Sequence, residues 1–217
     1  MYVFVRIFIC LLLALIAIIL VKKNRKGHNI KVKNAILLIT IMSVILYLIL
    51  MIIPFENCIY TFNSAESSLK YSNLYSPDLT VDGKTTTLTI YRKDVSTNEV
   101  LIIPKNNKGW KIGRGIDTKS LNVSSNKLYS VDICNYRNTD EWYIILTDWN
   151  DEIYSLCDNK NSTFKELSQT AKSRELKNYV AYIGKFDSSY VLIINNQEFE
   201  FVLSDGKRKT YELRLKE

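Results

Sequence analysis

No acidic residue occurs before Glu56 in this chain of 217 residues, and its only histidine is His28. The first absence leaves the N-terminal quarter with cations alone. The second removes imidazole from everything that follows the first quarter. Histidine-ligated metal sites, Ser-His-Asp hydrolases and Cys-His peptidases are excluded there unless a partner supplies the ring. Cysteine is also scarce. Cys10, Cys58, Cys134 and Cys157 include no CxxC pair, which argues against a disulfide-stapled secreted scaffold. Three of them lie beyond residue 54, and an odd number cannot all pair internally. Cys134 and Cys157 fall on predicted strands flanking a third, too far apart for a bridge, so buried free thiols are expected.

Two apolar runs fill the quarter that lacks acids: residues 1–21, broken only by Arg6, and residues 35–53, with no charge. Each is about long enough to cross a hydrocarbon core as a helix. No GxxxG spacing specifies their pairing. The loop 22–34 carries Lys22, Lys23, Arg25, Lys26, Lys31 and Lys33. Cations near a spanning helix stay on the cytoplasmic side, so these six are the topology determinants. They predict a two-pass plasma-membrane hairpin with the loop inside and both termini extracytoplasmic. Arg6, near the outer end of the first helix, is expected to snorkel to the headgroups. No small-x-small cleavage site precedes Lys22, and no small residues precede Cys10 as a lipoprotein box requires, so the first run reads as a retained helix.

The net charge of +7 is confined to this anchor. Residues 1–54 hold seven of the 29 cations, which leaves 22 against the 22 acids of the remainder. The basic balance therefore speaks for topology and anionic lipid, and no nucleic-acid partner is expected. The predicted domains are 1–54, the hairpin, and 55–217, an extracytoplasmic β-rich domain with a subdivision near 113–125 as an alternative.

Pro54 ends the second run. Asn63 or Ser64 caps a predicted short helix with Leu69 and Tyr71 toward the core. Period-two alternation then takes over. Strands are predicted at 79–81, 85–91, 100–103, 110–112, 128–136, 142–147, 152–157, 179–186, 190–194, 198–203 and 210–213. Asp82-Gly83, Asn150-Asp151, Asn195-Asn196 and Asp205-Gly206 mark turns, and a second short helix is predicted at 162–172. The fold class is α+β, mainly β: a transmembrane hairpin followed by an antiparallel sheet or partly closed barrel with one or two short helices.

Candidate chemistry is sparse. Ser67-Ser68-Leu69-Lys70 and Ser124-Ser125-Asn126-Lys127 match S-x-x-K, but no K-T-G accompanies them. Gly83-Lys84-Thr85 resembles the end of a phosphate loop, yet the glycine that should precede it is Asp78 and a strand follows. Gly113-x-Gly115 lacks the third glycine of a dinucleotide site. Asp140, Glu141, Asp148, Asp151, Glu152 and Asp158 cluster in sequence, where a glycosidase pair or a calcium site competes with ordinary turn chemistry. No catalytic, cofactor or metal residue is assigned. The candidate partner contact is Trp149, at a predicted hairpin tip beside Asn150 and Asp151.

The stretch Thr61–Lys70, the Asp82-Gly83 turn, the run 88–91 and Gly109-Trp110-Lys111-Ile112 together resemble uncharacterised membrane-anchored envelope proteins of low-GC Gram-positive bacteria. The resemblance covers roughly residues 61–113. It implies an extracytoplasmic β-rich domain on an anchor and supplies no site residues. The expected function is a non-enzymatic accessory or binding module, with the bilayer and another envelope or membrane protein as partners. An immunity-like partner of a larger membrane complex is the alternative. A Ser-Lys or carboxylate hydrolase ranks third.

Overall fold

An acid-free run of Leu, Ile, Val and Ala satisfies its backbone most readily as helix, and the chain begins with two. The computed structural model describes residues 2–23, 32–94, 97–124, 129–137, 139–171, 174–203 and 210–216. Helix α1 is Tyr2–Lys23 and α2 is Val32–Ile52. At 1.5 Å per residue they run about 33 and 31 Å, the thickness of a hydrocarbon core. Both are long and apolar enough to span a membrane. Phe4, Phe8, Leu11, Leu37, Leu38 and Leu48 are exposed along them, as lipid-facing residues would be. The helices outlast the apolar runs: Lys22 and Lys23 form the last turn of α1, where cations complement the helix dipole, and Lys33 lies in the first turn of α2. The predicted loop 22–34 is therefore shorter, and Arg25, Lys26, His28 and Lys31 lie outside the described residues. A four-residue turn, α3 (Glu56–Ile59), follows Pro54.

The chain divides into two compact units, Met1–Tyr60 with Tyr71–Leu74, and Thr61–Lys70 with Tyr75–Glu217. Helix α4 (Ala65–Asn73) contributes to both. It begins with a reciprocal cap. The Ser67 amide donates to Ser64 Oγ at 3.1 Å, and the Ser64 amide donates back to Ser67 Oγ at 3.2 Å.

The second unit is α+β and mainly β; the chain as a whole is 41% strand and 31% helix. Strands β1 (Leu79–Asp82), β2 (Thr86–Arg92), β3 (Asn98–Asn106) and β4 (Gly109–Trp110) form an antiparallel sheet in sequence order. Gly109 has φ +136°, and a Cβ there would lie 2.3 Å from the Phe62 carbonyl oxygen, so the β3–β4 turn requires glycine. Ala65 and Leu69 of α4 cover one face of this sheet at Tyr91, Leu101 and Ile103. Leu88, Ile90 and Ile102 on the other face meet Cys134, Tyr143, Ile145 and Val180 of a second sheet.

The second sheet comprises β5 (Thr118–Ser124), β6 (Tyr129–Tyr136), β7 (Trp142–Asp148), β8 (Leu156–Asp158), β9 (Lys165–Ala171), β10 (Arg174–Gly184), β11 (Val191–Ile194), β12 (Gln197–Leu203) and β13 (Thr210–Leu215). Their order is β8-β11-β12-β13-β5-β6-β7-β10-β9. Val131, Ile133, Ile144, Leu146, Ala181 and Ile183 share one core with Tyr190, Leu192, Ile194, Phe199 and Phe201. The sheet thus curls until β11 and β12 face β6, β7 and β10. Strand β7 is buried on both faces, which is why its Trp142–Leu146 stretch reads as a continuous apolar run.

Several expectations are corrected. Residues 165–171 are strand, where a helix was expected from Lys, Glu and Gln. Seven register pairs with β10 override that propensity. Charged Lys165 and Glu166 suit the exposed sheet edge this strand forms. Strand β5 lies within residues 113–125, where no strand is predicted, and Leu121 and Val123 are its only large apolar residues. It joins the sheet between β6 and β13, and its pairing with β13 is parallel. The strand expected at 152–157 shrinks to β8, which pairs with β11 rather than β7. Four strands, β11, β12, β13 and β5, separate Cys134 from Cys157. Both thiols are free; Cys134 is buried, whereas Cys157 is exposed rather than buried as expected. The Asp205-Gly206 turn lies outside the described residues.

Candidate functional site

Arg6 does not snorkel. It is fully buried and makes a bidentate pair with Glu56, Nη1 to Oε1 at 2.7 Å and Nη2 to Oε2 at 3.0 Å. Its Nη2 also donates to the Ile53 carbonyl at 3.1 Å, and its Nε donates to the Leu50 carbonyl. The second bond has a local cause. The Leu50 carbonyl would accept from the amide of residue 54, which as proline has none. The guanidinium carbon sits 3.3 Å from the Tyr2 ring centroid and 5.2 Å from that of Phe55. Tyr71, at the end of α4, donates to Glu56 at 3.2 Å and meets the Tyr2 ring edge-on at 6.0 Å. Burial and the Glu56 charge raise the Tyr71 hydroxyl above its ordinary pKa, so it stays a neutral donor. A signal for this cluster exists in the sequence. In an antiparallel hairpin Arg6 stands level with the last turn of α2, and Glu56 is the first acid beyond it.

In the β unit the candidate catalytic groups are engaged elsewhere. Ser67 Oγ takes part in the α4 cap, and Lys70 pairs with Glu66 at 2.6 Å. Ser67 is therefore a half-buried capping residue, not a surface one. Residues 125–127 of the other S-x-x-K match lie outside the described residues. Gly83 closes the β1–β2 hairpin, and a Cβ there would stand 2.5 Å from Tyr143 Oη and 2.7 Å from Glu141 Oε2. Packing, not phosphate, accounts for that glycine. Glu141 is buried and accepts from the Thr85 amide at 2.6 Å, Thr85 Oγ1 at 2.7 Å and Thr86 Oγ1 at 2.6 Å. Burial opposes its ionisation, but the Thr86 and Thr85 hydrogen bonds outweigh that and hold its pKa below the ordinary range. Asp158 is buried and receives the Lys160 and Ser162 amides and the Tyr190 hydroxyl. Asp151 pairs with Lys177 at 2.5 Å, while Asp140 sits exposed in the turn before β7. Asp117, which sequence patterns did not single out, pairs with Arg114 at 2.7 Å and Arg137 at 3.0 Å. Among the described residues no three His, Cys, Asp or Glu side chains converge as metal ligands would.

Trp149 lies on the loop between β7 and β8 and is 45% exposed. The loop is built from within. Buried Asp148 accepts the Asn150 amide at 3.1 Å and the Ile153 amide at 2.8 Å. Asn195 Oδ1 accepts the Tyr154 and Ser155 amides at 3.0 and 3.2 Å, and Asn195 Nδ2 donates to the Glu152 carbonyl at 2.8 Å. Asn195 and Asn196 both have positive φ, as a two-residue hairpin turn between β11 and β12 requires. This scaffold also presents Tyr154, 77% exposed. Sequence reasoning missed Tyr154 by assigning it to a strand.

A pocket of about 370 Å³ opens beside α4, lined by Ser64, Glu66, Asp78, Asp82, Thr87 and Trp110 among others. Its polar groups bond one another. Trp110 Nε1 donates to Thr87 Oγ1 at 2.9 Å, Thr87 donates to Asp82 at 2.6 Å, and Lys105 approaches Asp82 at 3.6 Å. No family model, curated protein or solved structure matches the chain.

Proposed function

We propose that the chain is a membrane-anchored binding or accessory module without catalytic activity. A two-pass hairpin would present it outside the plasma membrane, with both termini extracytoplasmic and another envelope or membrane protein as partner. The observation that carries this reading is the loop between β7 and β8. Asp148 and Asn195 fix its backbone, and it holds Trp149 and Tyr154 out in solvent. A prearranged aromatic pair loses little entropy on binding and suits an interface. Ser67, Glu141 and Asp158 are meanwhile held in a cap and in turns. The cations between the helices support the orientation.

A photo-crosslinking residue placed at Trp149 in cells tests this reading. A discrete adduct is expected at position 149 and none at exposed Lys108. Trp149→Ala at equal abundance should weaken the adduct formed from position 154. Equal crosslinking at 149 and 108 would reject the module.

One observation favours the complex-partner alternative. Grooves of about 500 and 340 Å³ run along the helix pair, both bordered by Ala14 and Ser43. If a third helix packs there, Ala14→Leu should release a co-purifying membrane protein that Trp149→Ala retains.

A further inference from the structure

Three large apolar side chains stand exposed in the hairpin unit just beyond the helix ends: Ile59 at 83%, Tyr60 at 56% and Leu74 at 71%. Their level relative to a bilayer follows from the helices. α2 is about 31 Å long, so residues after Ile52 leave the hydrocarbon and enter a headgroup layer about 5–8 Å deep. They are also held at that level. Glu56, which opens α3, is bound by Arg6 from the first turns of α1, and Arg6 grips the Leu50 and Ile53 carbonyls. The end of α4 is tied to the same place, because Tyr71 bonds Glu56 and packs on Tyr2. Leu74 adds a separate sign. It ends α4 at φ 66°, a left-handed conformation that glycine adopts without strain, yet it carries a large apolar side chain out of the protein.

We propose that Ile59, Tyr60 and Leu74 form an interfacial membrane contact, inserted at the boundary of headgroups and acyl chains of the leaflet where α1 begins and α2 ends. The occupant is lipid. Ile52 and Ile53, at 59% and 52% exposed, carry the exposed apolar residues of α2 to within six residues of Ile59 in the chain, and Tyr2, Phe55, Tyr60 and Tyr71 supply the aromatic belt common at that depth. The contact rests on the spanning reading of the hairpin but not on which side the loop occupies. It would fasten the juxtamembrane segments flanking the start of the β unit to the bilayer surface.

The test uses the full chain in nanodiscs of phosphatidylcholine and phosphatidylglycerol at three to one. Exposed Cys58 and Cys157 are replaced by serine, and buried Cys10 and Cys134 are retained. Nitroxides are attached at Ile59→Cys, Leu74→Cys, Leu13→Cys in α1 and Lys108→Cys in the β3–β4 turn. Oxygen and nickel-chelate accessibility are read at each. Labels at 59 and 74 should favour oxygen, between the lipid-like value at 13 and the aqueous value at 108. Aqueous values at 59 and 74 with a lipid-like value at 13 would overturn the contact and leave the spanning helices standing. An aqueous value at 13 would overturn both. Protection at 59 and 74 that disappears as protein is diluted in lipid would assign the patch to a second copy and overturn the lipid contact. A melt matching that of the unlabelled parent establishes that each variant is folded.

Discussion

Arg6 and Glu56 show how a charge is accommodated at the end of a helix apolar enough to span a membrane. Each carboxylate oxygen meets a guanidinium nitrogen, and the remaining donors find carbonyls that Pro54 and the end of α2 leave open. Removing one partner strands the other, at a cost of about 3–5 kcal/mol for a buried pair. Arg6→Leu or Glu56→Leu alone should lower the stability of the detergent-solubilised chain by about that much. The double replacement should recover most of the loss, because no buried charge is left unpaired. Two additive losses would instead mean that the pair is solvated. A second residue-scale expectation concerns thiols. Burial pushes Cys134 up to about 12, whereas Cys58 and Cys157 are exposed. In the folded protein at pH 8 a maleimide should therefore modify Cys58 and Cys157 and leave Cys134 intact until denaturant is added.

Among the elements, the β1–β2 hairpin depends on a group from another sheet. Glu141 at the start of β7 binds Thr85 and Thr86, and hydrogen bonding holds its pKa low against burial. Asp117 behaves alike: burial opposes ionisation, but Arg114 and Arg137 outweigh it. A carboxylate with a depressed folded pKa contributes stability above its unfolded value, about 4.3 for Glu and 3.9 for Asp. That contribution fades as pH falls through the lower folded value. Melting temperature should thus hold from pH 7 to 5 and drop below about 4, and Glu141→Gln should lower it at pH 7 and flatten the acid slope. An unchanged slope would remove Glu141 from the hairpin's support. For α4, losing the Ser64 cap in Ser64→Ala should cost about 1 kcal/mol. Sequence makes α1, α2, α4 and the paired strands β6 and β7 legible, because periodicity and turn residues agree there. It fails at β9 and β5, where pairing partners rather than local pattern decide the state. Trp149 is legible from the turn residues beside it. Tyr154 is not, because its placement depends on Asn195 about 40 positions away, and the Arg6–Glu56 pair follows only once the antiparallel hairpin sets Arg6 level with the end of α2.

At the scale of the whole molecule, a helical hairpin with a cation-rich connection at one end and a neutralised pair at the other precedes a unit whose net charge is near zero. The β unit has its own layered core. Residues 61–217 should therefore give a β-dominated circular dichroism spectrum and one cooperative melt when expressed alone. A helical spectrum would reject that independence. The orientation of the anchor decides everything about the partner, and accessibility in intact cells measures it directly. With Cys58 replaced by serine, a membrane-impermeant maleimide should label native Cys157 without permeabilisation. A cysteine at His28 should label only after the membrane is opened. Labelling of residue 28 in intact cells while Cys157 stays protected would place the β unit inside the cell and contradict the proposed topology.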